Sequence, residues 1–233
     1  KDIKVNIQDA GVIMEGRQNN RSMDRFLTSD NDQRTTLFYM NPDQLESVWR
    51  RYFERGDLRG RRVISYWHWE IDKFPRKWQP ALELVDEIWV ASEFVEQLVK
   101  RVTDKPVVRI PHAIDVKILR PYSRTEFALP DDRFLFLFNF DFYSFADRKN
   151  PWATIEAFRR AFPISEDRVG LVIKCHHGER HLEKFILLQE LADHDPRITI
   201  LDCLLSREEM YGLQSVCDAY VSLHRSEGFG LGM

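Results

Sequence analysis

Beyond Phe134 the sequence exchanges apolar runs and helical periods with a regularity that few folds can accommodate. RFLFLFNF is continuous in apolar residues, as expected of a strand buried on both faces. PWATIEAFRRAF follows it as a helix. Asn150 can cap this helix, and Pro151 fits its first position, where no amide hydrogen is needed. Trp152, Ile155, Phe158 and Phe162 fall near one helix face. RVGLVIKC is a second strand, HLEKFILLQELADH a helix and RITILDCL a third strand. Ser206 and Glu209 form a capping box that opens the helix SREEMYGLQSV, and AYVSLH is a fourth strand. Strands and helices alternating at this spacing imply a parallel, doubly wound sheet.

The first half alternates as well. TTLFYM, RRVISYW, DEIWVAS and PVVRIP read as strands. Asn41, Pro42 and Gln44 open a helix whose Leu45, Val48, Trp49 and Tyr52 share a face. A second helix is expected over roughly 78–85, and Ser92 can cap a third, EFVEQLVKRV. Residues 116–130 carry Pro121 and Pro130 and no clear period, as a connection between domains would. The chain therefore divides into residues 1–120 and 121–233. The expected class is α/β: two Rossmann-like domains facing across a cleft, with ligands at the carboxyl ends of the strands. The stretch GRQNNRSMDRF, before Thr35, is polar and has no assigned role.

Composition narrows the function. Among 233 residues, 43% are hydrophobic and 30% charged, which excludes a disordered chain. The net charge of -3 provides no basic field for nucleic acid. No run of 18 apolar residues could span a bilayer, and KDIKVNIQDA lacks the apolar core of a signal peptide. The chain opens on Lys1 and not Met, so an upstream segment is expected. Cys175, Cys203 and Cys217 are odd in number and suit buried thiols in a reducing, cytoplasmic compartment.

Three clusters carry chemistry. The first is SEGFGLGM, Ser226 to Met233, which follows a strand. Gly228, Gly230 and Gly232 let the backbone approach a ligand, and a following helix N-terminus would offer amide hydrogens to phosphate. On spacing alone it reads equally as a tight turn. The whole string resembles the donor-site motif of the retaining GT-B glycosyltransferases known as family 4, or glycosyl transferases group 1. That motif runs Glu, seven residues, Glu. Glu227 matches the first Glu, and the second falls two positions beyond Met233, so the second domain is expected to be incomplete. The resemblance implies that Glu227 contacts the donor sugar. It also implies that the backbone of Gly228, Phe229, Gly230, Leu231 and Gly232 faces sugar and phosphate.

The second cluster is DRKNP, with Arg148 and Lys149 just ahead of a helix. Two cations beside a positive dipole end suit a diphosphate, although composition alone favours a solvated basic turn. The resemblance implies that Lys149 neutralises the leaving diphosphate. The family Arg usually sits earlier, where this chain has Asn139 to Ser144, so Arg148 stands as its substitute. Lys174, at the end of the next strand, is a further donor-side candidate.

The third is YWHWE, Tyr66 to Glu70. Aromatic faces bind sugar rings, and His and Glu can exchange hydrogen bonds with hydroxyls. A buried aromatic cluster explains the isolated segment as well. The stretch from Ser65 to Val95 resembles the acceptor domain of a bacterial subgroup of these transferases. There His68 matches the His near the reaction centre, and Trp67, Trp69 and Glu70 lie on the acceptor side. DEIWVASEFV and VVRIPHAID match the family's strand–Ser–helix and following turn, closed by Asp115.

The resemblance implies a metal-independent enzyme with no cofactor. It would move a sugar from a nucleoside diphosphate sugar to a glycan or glycolipid hydroxyl with retention, in polysaccharide biosynthesis. A non-catalytic sugar-nucleotide-binding subunit or a GT-B epimerase are alternatives. Peripheral contact with the inner membrane face would fall to Trp78, Arg76 and Lys77, which otherwise form a solvated helix face. Cys175, His176 and His177 have no second pair at metal-ligand spacing, and Asp193-His194-Asp195 reads as a turn before Pro196. No P-loop, Gly-x-Ser-x-Gly or zincin motif occurs.

Overall fold

A computed structural model describes residues 4–10, 23–30, 32–54 and 56–232. The first three residues, most of GRQNNRSMDRF and the final Met233 of the glycine-rich string lie outside them. The chain forms two compact units, Lys1–His112 and Ala113–Met233.

The first unit carries a parallel sheet of four strands in sequential order: β1 (Thr35–Tyr39), β2 (Arg62–Trp67), β3 (Glu87–Val90) and β4 (Val107–Arg109). Helices α1 (Pro42–Glu54), α2 (Gln79–Leu82) and α3 (Glu93–Lys100) link them. Leu45 and Val48 of α1 enter the core, with Trp49 and Tyr52 packed against it. The Ser92 hydroxyl accepts from the Val95 amide, so α3 is capped as its sequence predicts. The helix expected over 78–85 is shorter. Asp86 exchanges hydrogen bonds with the Val63 main chain at 2.7 and 2.8 Å, which pulls the chain into the sheet before another turn can form.

The second unit holds β5 (Phe134–Asn139), β6 (Val169–Cys175), β7 (Ile198–Asp202) and β8 (Ala219–Tyr220), all parallel, in the order β7-β6-β5-β8. Its helices are α4 (Ala146–Lys149), α5 (Pro151–Ala161), α6 (Leu182–Asp193) and α7 (Arg207–Val216). Successive strands add on one side of β5 until β8 returns to its other side. Between β5 and β8 the winding reverses, the position at which doubly wound sheets receive ligands. The ladder to β8 ends at Tyr220, with one last bond from the Val221 amide to the Leu137 carbonyl at 2.8 Å. Phe138, Phe140, Phe142, Ile155 and Phe158 fill one face of this sheet.

The aperiodic connection contains an ordered turn, Arg124–Phe127, opened by a capping box of Ser123 and Glu126. The Arg124 guanidinium donates to the carbonyls of Arg133 at 2.6 Å and Val216 at 2.9 Å, and to Asp218 at 2.7 Å. The Tyr122 ring lies against Gly212 of α7, where a Cβ would sit 2.5 Å from the ring. Glycine costs an average helix about 1 kcal/mol relative to alanine, but here the missing side chain makes the socket for that ring.

Asp195, a turn former by sequence, faces inward and pairs with Arg197. Their side chains are 1% and 2% exposed, and the guanidinium donates to the carboxylate at 2.9 and 2.7 Å. The remaining donors reach the carbonyls of Pro163, Glu166 and Phe162, so all five are engaged. Removing one partner of such a pair leaves a buried charge. Arg197→Met is expected to destabilise the second unit by about 3–5 kcal/mol, measured by urea unfolding followed by circular dichroism. A loss under about 1 kcal/mol, the range of an exposed pair, would mean the pair is hydrated.

Candidate functional site

The reversal between β5 and β8 brings together the loops that carry the two donor-side motifs. After β5 the chain makes a short turn at Phe142–Ser144, passes through α4 and reaches Asn150 in a left-handed conformation, φ 59°. Asn150 stands at the N-terminus of α5, but its side chain makes no cap. It donates instead to the Leu223 carbonyl at 3.1 Å and ties the two loops together. Arg148 and Lys149 form the last turn of the short helix α4 and stand immediately before Asn150, the N-cap of α5.

Both cations converge on Glu227. The Lys149 ammonium donates to Glu227 Oε1, the Arg148 guanidinium approaches the same oxygen at 3.4 Å, and His224 Nδ1 lies 2.8 Å from it. Arg148 also donates to the Ser226 carbonyl at 2.9 Å, and the Arg225 amide donates to the Arg148 carbonyl at 2.8 Å. Side-chain exposures of 12% for Lys149, 14% for Arg148 and 20% for Glu227 make these partly desolvated charges, stronger than surface pairs. Burial alone would raise the Glu227 carboxyl. Hydrogen bonds from His224 and Lys149 outweigh it and hold the group at about 2.

The glycine-rich loop packs over the strand ends. Gly230 adopts φ 83°, which a side chain would resist, and a Cβ on Gly232 would meet the Tyr220 hydroxyl at 2.5 Å and Asn139 Oδ1 at 3.3 Å. Among the described residues, that Asn139 oxygen is buried and finds no hydrogen-bond partner, and neither does His224 Nε2. Leu231 is exposed; Gly228 and Phe229 are half-buried. Burial pushes the Tyr220 hydroxyl up to about 12, with the Glu227 charge adding to it. Lys174 is placed differently. It is buried, and its ammonium donates to the carbonyls of Cys175 at 2.8 Å and Cys203 at 2.6 Å. Two of three donors thus anchor loops after β6 and β7, and this accounts for its burial without a ligand.

In the first unit, His68 sits at the end of β2 in a cluster that local sequence does not reveal. The His68 and His112 rings stack 5.1 Å apart at 9°. The Tyr39 hydroxyl lies 3.3 Å from His68 Nε2 and 3.4 Å from His112 Nδ1, and the Tyr66 hydroxyl donates to the Ile110 carbonyl at 2.6 Å. These residues lie at or just beyond the ends of β1, β2 and β4, so only the parallel sheet register makes them neighbours. The Asn41 side chain accepts from the His68 amide at 2.7 Å and fixes the turn. Burial, with His112 beside it, pushes His68 down to about 4, so the imidazole is neutral at pH 7.

Trp67 requires a correction. It is 1% exposed and its indole donates to the Ser65 hydroxyl at 2.8 Å, so it is core and offers no face to a sugar. Trp69 and Glu70 are half-buried, with the Trp69 indole bonded to the Lys73 carbonyl at 2.9 Å. Trp78 is also buried, edge-on to Trp69, and cannot serve a membrane surface. No helix of the described residues is long and apolar enough to cross a membrane.

The depressed Glu227 carboxyl has a thermodynamic consequence. Its folded value lies below the ordinary 4.5, so its stabilisation is complete above that pH and disappears as pH falls through about 2. Lys149→Met should release the carboxyl upward toward its ordinary range, read by carbon-13 NMR titration. A group still near its original value would show that His224 and Arg148 hold it without Lys149.

No protein-family model matches the chain, and no curated protein matches it in sequence. Solved structures do match. HepE from Anabaena, solved with UDP-glucose, is 13% identical with a TM-score of 0.59, covering 80% of this chain and 52% of that one. Sucrose-phosphate synthase from Thermosynechococcus elongatus is 16% identical with a TM-score of 0.57, covering 85% and 51%. A UDP-forming trehalose-phosphate synthase from Burkholderia xenovorans is 15% identical with a TM-score of 0.56, covering 83% and 53%. The chain thus spans about half the length of the structures it matches. At these identities the likeness speaks for architecture alone, and the architecture of this chain is that of the GT-B glycosyltransferases, α/β with Rossmann-like units.

Proposed function

We propose that this chain belongs to a retaining glycosyltransferase that moves a sugar from a nucleoside diphosphate sugar to a hydroxyl of a glycan or glycolipid. The observation that carries the reading is the convergence of Lys149 and Arg148 on Glu227 at the β5–β8 reversal. That is the crevice where doubly wound sheets receive ligands. The cluster couples two cations to a carboxylate, so it can balance a phosphate and also hold a sugar hydroxyl.

The main barrier is departure of the diphosphate from the anomeric carbon. Negative charge grows on the leaving group as the bond breaks, and cations already fixed in a partly dry site stabilise it without reorganisation. Lys149 is the principal group in this role and Arg148 its neighbour. With charge neutralised by side chains, the step needs no metal. Glu227 orients the sugar, and the amides of Gly228, Phe229, Gly230 and Leu231 line the phosphate side. His68, neutral at working pH, positions and hydrogen-bonds and does not attack covalently. Trp69 and Glu70 keep an acceptor-side role; Trp67 does not. HepE was solved with UDP-glucose, which makes UDP-hexoses the first donors to test. Polysaccharide biosynthesis at the cytoplasmic membrane face is the matching context.

Lys149→Ala should lower kcat by about 10²–10³-fold, the cost of removing one charge-stabilising donor, with circular dichroism unchanged. Wild-type turnover on that scale would end the phosphate assignment. Because the His68 imidazole titrates near 4 and not near its ordinary 6.5, turnover should show no His68-dependent step between about pH 6 and pH 8. A step near the ordinary value, abolished in His68→Ala, would overturn its neutral role.

A further inference from the structure

The loops after β5 and β6 place an Asp and two adjacent His side chains around one point, outside the Lys149–Glu227 cluster. Two main-chain bonds carry the β5–β6 pairing past the strands: Phe140 amide to Lys174 carbonyl at 3.0 Å, and Phe142 amide to His176 carbonyl at 3.1 Å. Asp141 lies between these two bonds. Its Oδ1 accepts the Tyr143 amide at 2.9 Å and lies 2.9 Å from His177 Nδ1. Its Oδ2 lies 3.9 Å from His176 Nδ1.

Consecutive side chains leaving a strand normally point to opposite faces. Here the His176 and His177 rings have centroids 3.6 Å apart. The left-handed backbone at His177, φ 63°, brings both rings to the same side. A non-glycine residue is uncommon in that region. Gly178 then lets the chain pass Asp202, whose Oδ2 would lie 2.5 Å from a Cβ. The His177 ring rests on Tyr143, with centroids 4.4 Å apart.

We propose that Asp141, His176 and His177 bind one divalent transition-metal ion of the zinc class. Two imidazoles and a carboxylate suit such ions, and three protein ligands leave room for solvent or an anion. Ligands about 2.0–2.1 Å from a metal, at angles from octahedral to tetrahedral, lie roughly 2.9–3.4 Å from one another. One atom from each of the three residues already lies within 4.8 Å of the others, so side-chain rotation suffices. Each imidazole must present a ring-nitrogen lone pair, and ligation through His177 Nδ1 replaces the proton that this ring otherwise shares with Asp141. This adjacent His pair has no spaced partner in sequence, and only the pairing of β5 with β6 supplies the third ligand.

The test uses the chelator-stripped full chain, titrated with Co²⁺ by visible absorption and with Zn²⁺ by calorimetry. The expected result is one equivalent with a ligand-field band. Asp141→Asn and His177→Asn should each weaken binding by more than the roughly 10–100-fold cost of losing an outer-shell partner. Asparagine tolerates the left-handed backbone, so His177→Asn removes the imidazole without refolding the turn. Cys203→Ser should leave binding unchanged. Failure to bind either ion, or binding by both variants equal to that of the wild type, overturns the site. So does loss of binding in Cys203→Ser alone. Lys149 is untouched throughout, so the donor-transfer reading stands or falls separately.

Discussion

Glu227 is the constraint on which the described site depends. A carboxylate that loses most of its water must find positive charge nearby or take up a proton. This one finds two cationic side chains and an imidazole. The requirement works in reverse as well. Lys149 and Arg148 are themselves largely buried, and Glu227 sets an anion beside both of them. The acidic motif from one loop and the basic motif from another therefore hold each other in place. The glycine-rich segment is kept against the sheet by the same contact.

Backbone topology makes that pairing possible. Among the described strands only β5 has neighbours from both directions of winding, and the loops after β5 and β8 meet there. Asn150 and Arg225 add main-chain ties between the same loops. The first unit contrasts with this. Its described strands run in sequential order without a reversal, and its ionisable cluster is a stack of rings at the ends of β1, β2 and β4. The second unit concentrates paired charges, whereas the first gathers aromatic and imidazole rings.

Much of this was legible in the sequence because it rests on local chemistry. The apolar run of β5, the capping box at Ser206 and Glu209, and the Ser92 cap all appear in the structure at the expected residues. So does the proximity of Lys149 to Glu227, which the resemblance implied. Features that need register were not legible. Tyr39 and His112 join His68 only through parallel pairing of separated strands. Trp67 was read as a sugar platform because a tryptophan at a strand end can point either way, and the pleat turned it inward. Lys174 alternates into a buried position, where loop carbonyls offered it partners. The turn at Arg124–Phe127 lies in a stretch whose prolines hide any period.

Arg124 and Tyr122 have a consequence for how the second unit is made. Arg124 closes on Asp218, 94 positions later, and its neighbour Tyr122 waits for the socket at Gly212. A ribosome adds about 5–20 residues per second, so the opening segment stays unanchored for roughly 5–20 s until Asp218 is synthesised. During that interval β5, among the most apolar stretches of the chain, lacks its β8 neighbour. The nascent protein is therefore exposed to wrong association at β5 until residues 218–220 have emerged.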